Sequence, residues 1–156
     1  MSKLENMKEG KILIVISSSL YFQSGIREFM LHIVTNLTEL PEKWGSRMQM
    51  VVDELCSNAV EYGSAPSDEI AVTIELKKGE YLDIIVEDKG TGAQKVTAEA
   101  LRQLVDERKD KKLELGNLRG RGLAQIILKW VDELEFEDRQ HGGIKSRARK
   151  YFKNAI

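Results

Sequence analysis

The sequence predicts an α+β fold, a two-layer α/β sandwich with helices on one face of a mostly antiparallel sheet. Three observations lead there. Two blocks of helix-period apolar residues flank Pro41. Strand-like alternation then comes in pairs joined by turns too short for anything but antiparallel neighbours. The element order reads β-α-α-β-β, an irregular stretch, then α-β-β, and a sheet of that kind buries its apolar face under segregated helices.

The first strand is Ile12 to Ile16, a β-branched run between Gly10 and the Ser17–Ser19 cluster. Ser24 is the expected N-cap of a helix carrying Ile26, Phe29, Met30, Ile33, Val34 and Leu37 at helical spacing, and Pro41 closes it or starts a new turn. Between Arg47 and Gly63, the residues Met48, Val51, Val52, Leu55 and Ala59 mark the buried face of a second helix. Glu54 and Asn58 fall one turn apart at the border of that face, with Asp53 and Ser57 turned towards solvent. Ile70, Val72, Ile74 and Leu76 alternate with polar residues, and Lys78-Gly79-Glu80 turns this strand into another with Leu82, Ile84 and Val86 on one face. Ala100, Leu101, Leu104 and Val105 suggest a short helix before the charged run Asp106 to Lys112, which reads first as a solvated surface, while the long irregular segment of about 93–119 around it has the character of a lid over a ligand. A helix from Gly122 carries Leu123, Ile126, Ile127, Trp130 and Val131. Leu134–Asp138 and Ile144–Phe152 are the closing strands.

Composition narrows the function. A chain of 156 residues, 42% hydrophobic and 31% charged, reads as one soluble domain, 1–156. Net charge is −1, which gives no general attraction to nucleic acid. No apolar run has the length of a membrane span and the N-terminus lacks a signal-peptide core, so a cytoplasmic protein is expected. Cys56 stands alone, which excludes an internal disulfide, and its place beside the apolar helix face reads as a buried structural thiol. His32 and His141 have no partner at metal-ligand spacing.

Three motifs carry chemistry: Glu54-x-x-x-Asn58 on the helix, Asp88-Lys-Gly90-Thr-Gly92 after a strand, and Arg119-Gly120-Arg121-Gly122-Leu123 opening a helix. Each is weak alone. An acid and an amide on a helix are usually a surface pair, Asp-x-Gly is common in turns, and a lone Gly-x-Gly is neither a Rossmann fingerprint nor a P-loop. In this order and spacing the set resembles the GHKL nucleotide-binding (Bergerat-type) fold of gyrase, histidine kinases and MutL-type ATPases. The wording Glu54-Leu-Cys-Ser-Asn58-Ala-Val-Glu-Tyr-Gly63 is most similar to bacterial serine kinases that act as anti-sigma factors. The resemblance runs from about Lys11 to Phe152.

That resemblance implies ATP and Mg²⁺ as cofactors. It makes Glu54 the general base and Asn58 the magnesium ligand, roles that suit a carboxylate able to take a hydroxyl proton and an uncharged oxygen donor beside substrate phosphates. It makes Asp88 the acceptor for the exocyclic amine of adenine, with Gly90 and Gly92 adopting positive φ and letting the backbone approach the base. Gly120, Gly122 and Leu123 bring helix N–H groups to phosphate, while Arg119 and Arg121 are either cationic clamps on the terminal phosphate or solvated lid arginines. One departure stands out. Where the family usually has Gly-Thr-Lys, with the Thr supporting water around the adenine-binding Asp, this chain has Gly143-Ile144-Lys145, which predicts weaker nucleotide binding.

The implied function is an ATP-dependent serine/threonine protein kinase of the anti-sigma type, phosphorylating a small antagonist protein and holding a sigma factor. A non-catalytic, nucleotide-gated partner-binding module and a free-standing GHKL ATPase are the alternatives. No catalytic-loop triplet of eukaryotic-like kinases is present, nor a phospho-acceptor histidine box. A homodimer is expected to form, if at all, along the edge of the apolar first strand.

Overall fold

The structure, a computed structural model, describes residues 9–18, 22–92, 95–109 and 127–155. Its elements are β1 (Glu9–Ser17), α1 (Gln23–Leu37), α2 (Lys43–Asn58), a π-turn (Ala59–Gly63), β2 (Glu69–Lys77), β3 (Tyr81–Glu87), α3 (Ala98–Lys109), β4 (Glu133–Asp138), β5 (Ile144–Tyr151) and a closing 3₁₀ turn (Phe152–Asn154). Residues 127–130 are also helical. The strands form one five-stranded antiparallel sheet in the order β1-β2-β3-β5-β4. The expected α+β sandwich is therefore observed.

The core lies between one face of the sheet and the first two helices. Ile70, Val72 and Ile74 of β2, Leu82, Ile84 and Val86 of β3 and Ala148 of β5 meet Met30, Ile33 and Val34 of α1 and Met48, Val51, Val52 and Leu55 of α2. The period-two and helical spacings of the sequence are the same set of residues. Helix boundaries differ from expectation. The α1 helix begins at Gln23 with Phe22 before it and no side-chain cap, so Ser24 lies inside the first turn rather than capping it. The α2 helix starts earlier than Arg47 because Trp44 and Gly45 are buried and the Pro41 carbonyl accepts the Trp44 N–H, making Pro41 the start of the turn into it. Asp53 is not turned to solvent: it is half-buried and pairs with Arg27 of α1 at 3.6 Å.

The opposite sheet face is held by charge. Tyr81 and Asp83 of β3 share it with Arg147 and Arg149 of β5 and Glu133 of β4. Asp83 is only 1% exposed and takes two bonds of 2.7 Å from Nε and Nη2 of Arg149, which also lies 3.8 Å from the Tyr81 ring centre. Arg147 bridges to Glu133 and Glu135. Removing the acid would leave two guanidinium groups adjacent with no charge between them. Asp83→Ala is expected to cost about 2 kcal/mol in urea unfolding, below the buried-pair range of about 3–5 kcal/mol because Arg149 still reaches water. A change under about 0.5 kcal/mol would show the pair to be solvated.

Candidate active site

Sheet order creates the site. Because β5 pairs with β3 although β4 precedes it in the chain, the residue that follows β3 lands beside the start of β5. That residue is Asp88. Its N–H donates to the Ile144 carbonyl (3.1 Å), and its Oδ1 accepts from the N–H groups of Gly90 (3.0 Å) and Ile144 (3.2 Å). Among the described residues Oδ2 accepts no hydrogen bond, which leaves one oriented acceptor on a residue just 7% exposed. Burial raises the Asp88 pKa above the ordinary Asp value, opposed by the two backbone donors and the charge of Arg139.

The helix supplies the opposing wall. Glu54 is buried on the last turns of α2, and Asn58 is its final residue, exposed, about 6 Å further along the axis. After Asn58 the backbone widens into the π-turn, a feature frequent at functional sites. This turn carries Tyr62 and Gly63 against the loop after β3. A Cβ at Gly63 would overlap the Asp88 carboxyl group. Thr91 fastens the same junction: its N–H donates to the Gly63 carbonyl (3.1 Å), its hydroxyl donates to Asp68, and that hydroxyl accepts the Ala65 N–H (3.1 Å).

Glu54, Asn58, Asp88 and Gly90 line one cavity of about 380 Å³, together with Tyr62 and Ser146. Its apolar wall comes from Leu101, Leu104 and Val105 of α3, with Phe136 and Ile144 on the sheet. The α3 helix lies inside the segment expected to form a lid, and of that segment residues 95–109 are described. Gly92 is not in the cavity lining and its φ is not positive, contrary to expectation. A Cβ there would meet the Tyr62 carbonyl, so this glycine serves the packing of loop on π-turn. Gly90 does take a positive φ of 68°, and a Cβ on it would strike the backbone of Gly143. Arg119, Gly120, Arg121, Gly122 and Leu123 lie outside the described residues.

Ile144 changes meaning once its backbone is seen. The expectation of weaker binding rests on a missing Thr hydroxyl, yet the Asp88 carboxyl group is fastened here by the Ile144 N–H, which any residue but proline provides. Sequence reading passed over Ser146 and Arg139. Ser146 stands between Ile144 and Ala148 on the inner face of β5, paired with Val86 on one side and Phe136 on the other, and a hydroxyl between two apolar residues of one face was a usable signal. Arg139 carried none, since its role depends on the β3–β5 pairing. Cys56 is buried, and burial first, with the nearby charge of Asp53, pushes its thiol up to about 12, so it is an inert core residue.

For a divalent cation the donor set is sparse. Among the described residues no group of three or more His, Cys, Asp or Glu forms a metal cluster. A cation that arrives with a nucleotide needs few protein oxygens, because phosphates and waters complete its octahedron, and the Asn58 side-chain oxygen fits that requirement. No helix among the described residues is long and apolar enough to cross a membrane. Compared with known families, residues 23–149 match the histidine kinase-like ATPase domain. Among curated proteins, none matches the chain.

Proposed function

Because the chain belongs to the histidine kinase-like ATPase domain family, we propose that it is an ATP-dependent serine/threonine protein kinase acting on a small antagonist protein, in the manner of anti-sigma regulators. The observation that carries the reading is the shared cavity of about 380 Å³, lined by a buried acid, Glu54, by Asn58 one helical turn further on, and by Asp88. Asp88 would accept the exocyclic amine of adenine through its uncommitted oxygen, and a purine with a carbonyl there would present lone pairs to lone pairs. Asn58 would hold Mg²⁺, which neutralises charge on the phosphates when bound. Glu54 would accept the proton of the attacking hydroxyl as its oxygen bonds to the γ-phosphorus and the bond to the bridging oxygen of ADP breaks. Phosphoryl transfer asks chiefly for positioning and charge neutralisation, and these residues are of the right kind for both. A cytoplasmic location belongs to the same reading.

The partner side of the proposal is the antagonist protein that bears the acceptor hydroxyl, and a sigma factor held by the kinase. A second copy is the further partner proposed. Among the described residues β1 is one of the two edge strands of the sheet, with Leu13 60% and Val15 54% exposed, and edges of this kind pair readily.

The test is incubation with γ-labelled Mg-ATP and lysate from the protein's own source. The wild type is expected to label one small protein, and Glu54→Ala to lower labelling at least about 100-fold while its ATP affinity stays within a factor of about two. Labelling that survives Glu54→Ala would remove that residue from the role of base. ATP binding with no labelled protein would favour a nucleotide-gated binding module, and steady phosphate release without an acceptor would favour a free-standing ATPase.

A further inference from the structure

The structure assigns Arg139 as the residue that positions Asp88 for the nucleobase, by tying the β4–β5 hairpin to the end of β3. The inference rests on the reading of Asp88 as an adenine acceptor.

The geometry is a double tie. Within the hairpin, the Arg139 N–H donates to the Gly143 carbonyl (3.0 Å) and the Gly142 N–H donates to the Arg139 carbonyl (3.2 Å), which fixes Arg139 at the base of the turn. From there Nη1 of Arg139 donates to the main-chain carbonyl of Asp88, and Nε lies 3.9 Å from the Glu87 carboxylate. The next residue after the hairpin glycines, Ile144, donates its N–H to Asp88 Oδ1. One short hairpin therefore holds both ends of Asp88, its carbonyl through a side chain and its carboxyl through the backbone. Packing leaves no slack between these pieces, since a Cβ on Gly143 would run into the Asp88 carbonyl.

Charge acts along the same line. Among the described residues, the titratable groups around Asp88 are Glu87 and Lys89 beside it in the chain, Glu54 and Tyr62 across the cavity, and Arg139, His141 and Lys145 from the hairpin and β5. Lys89 lies 3.9 Å from Glu69, and Lys145 stands opposite Glu87 on the sheet. Among the described residues Arg139 is the cation with a direct bond to Asp88, through the main-chain carbonyl, and its charge opposes the rise that burial imposes on the Asp88 pKa. An ionised Asp88 is the form that accepts two hydrogen bonds on one oxygen and keeps the other for a ligand amine. Removing the cation should raise the pH at which that form is lost.

The experiment measures Mg-ATP affinity by calorimetry from pH 5 to pH 8 for the wild type, Arg139→Gln and Arg139→Lys. Arg139→Gln is expected to weaken ATP by about three- to tenfold at pH 8, the size of one ordinary net hydrogen bond, because Arg139 acts on the ligand only through Asp88, and to lose affinity at a higher pH than the wild type. Arg139→Lys restores the charge without the fork, so its pH profile should return to that of the wild type while part of the affinity loss remains. Two results overturn the inference. In one, a folded Arg139→Gln binds with unchanged affinity and pH profile; in the other, both variants weaken equally with the profile unmoved, which is a structural role alone. Failure of the wild type to bind ATP at any pH would instead overturn the nucleotide reading beneath it.

Discussion

Asp88→Asn is expected to lower ATP affinity by at least about 100-fold while leaving the melting temperature at pH 7 unchanged or raised. The two halves have one cause. Asp88 is buried, and burial lifts its pKa above the ordinary value although two N–H groups and Arg139 favour its charge. For a carboxyl group whose folded-state pKa lies above the unfolded one, the contribution to stability is full below the unfolded value. It is lost as pH rises from there through the folded value. Once ionised, the buried carboxylate carries that desolvation cost, and a neutral side chain of the same shape removes it. Its amide oxygen can still accept from Gly90 and Ile144. The remaining amide nitrogen would then face a ligand amine, donor against donor, where the carboxylate offered an acceptor. Calorimetry and thermal melts on the same preparations decide it. A variant that binds ATP normally would remove Asp88 from the adenine contact, and one that melts far lower would show the carboxylate to be a net stabiliser.

Gly143→Ala should damage fold and binding together. Gly143 takes a φ of 89°, which non-glycine residues rarely adopt, and an added methyl group would meet the Asp88 carbonyl. The neighbour is backbone of the β3 end, itself bonded to Arg139 and Ile144, so it cannot swing aside as a side chain would. Strain and displacement together are expected to cost about 3 kcal/mol in urea unfolding, with loss of measurable ATP binding in whatever remains folded. Gly79→Ala is the control. It shares a positive φ of 75° but meets nothing within reach, so it should show the conformational cost of about 1 kcal/mol alone and bind ATP as the wild type does. Equal losses in the two variants would mean that the hairpin does not press on Asp88.

Glu54 and Asn58 were legible before any coordinates because a helix converts spacing directly into place. Residues four apart share a line, and the apolar set Met48, Val51, Val52 and Leu55 fixes which line borders the core. The strand faces followed from alternation in the same way, as the burial of Val72, Ile74, Ile84 and Val86 bears out. Local rules failed where the chain departs from them. Nothing in Ala59-Val-Glu-Tyr-Gly63 distinguishes a π-turn from another turn of α-helix, yet that turn carries Gly63 against Asp88. Gly92 looked like a positive-φ residue because Asp-x-Gly-x-Gly loops invite that reading, and its true constraint is a carbonyl from Tyr62 of the π-turn.

By itself, then, the sequence determined the α+β class, the buried faces of two helices and two strands, and the pairing of an acid with an amide on one helix. These rest on periodicities that each segment carries within itself. Only the tertiary structure decided that β5 would slip between β3 and β4. That choice brings Ile144 and Arg139 to Asp88 from more than fifty residues away in the chain. Pairing across such a distance is set by the packing of whole faces, and no local pattern records it.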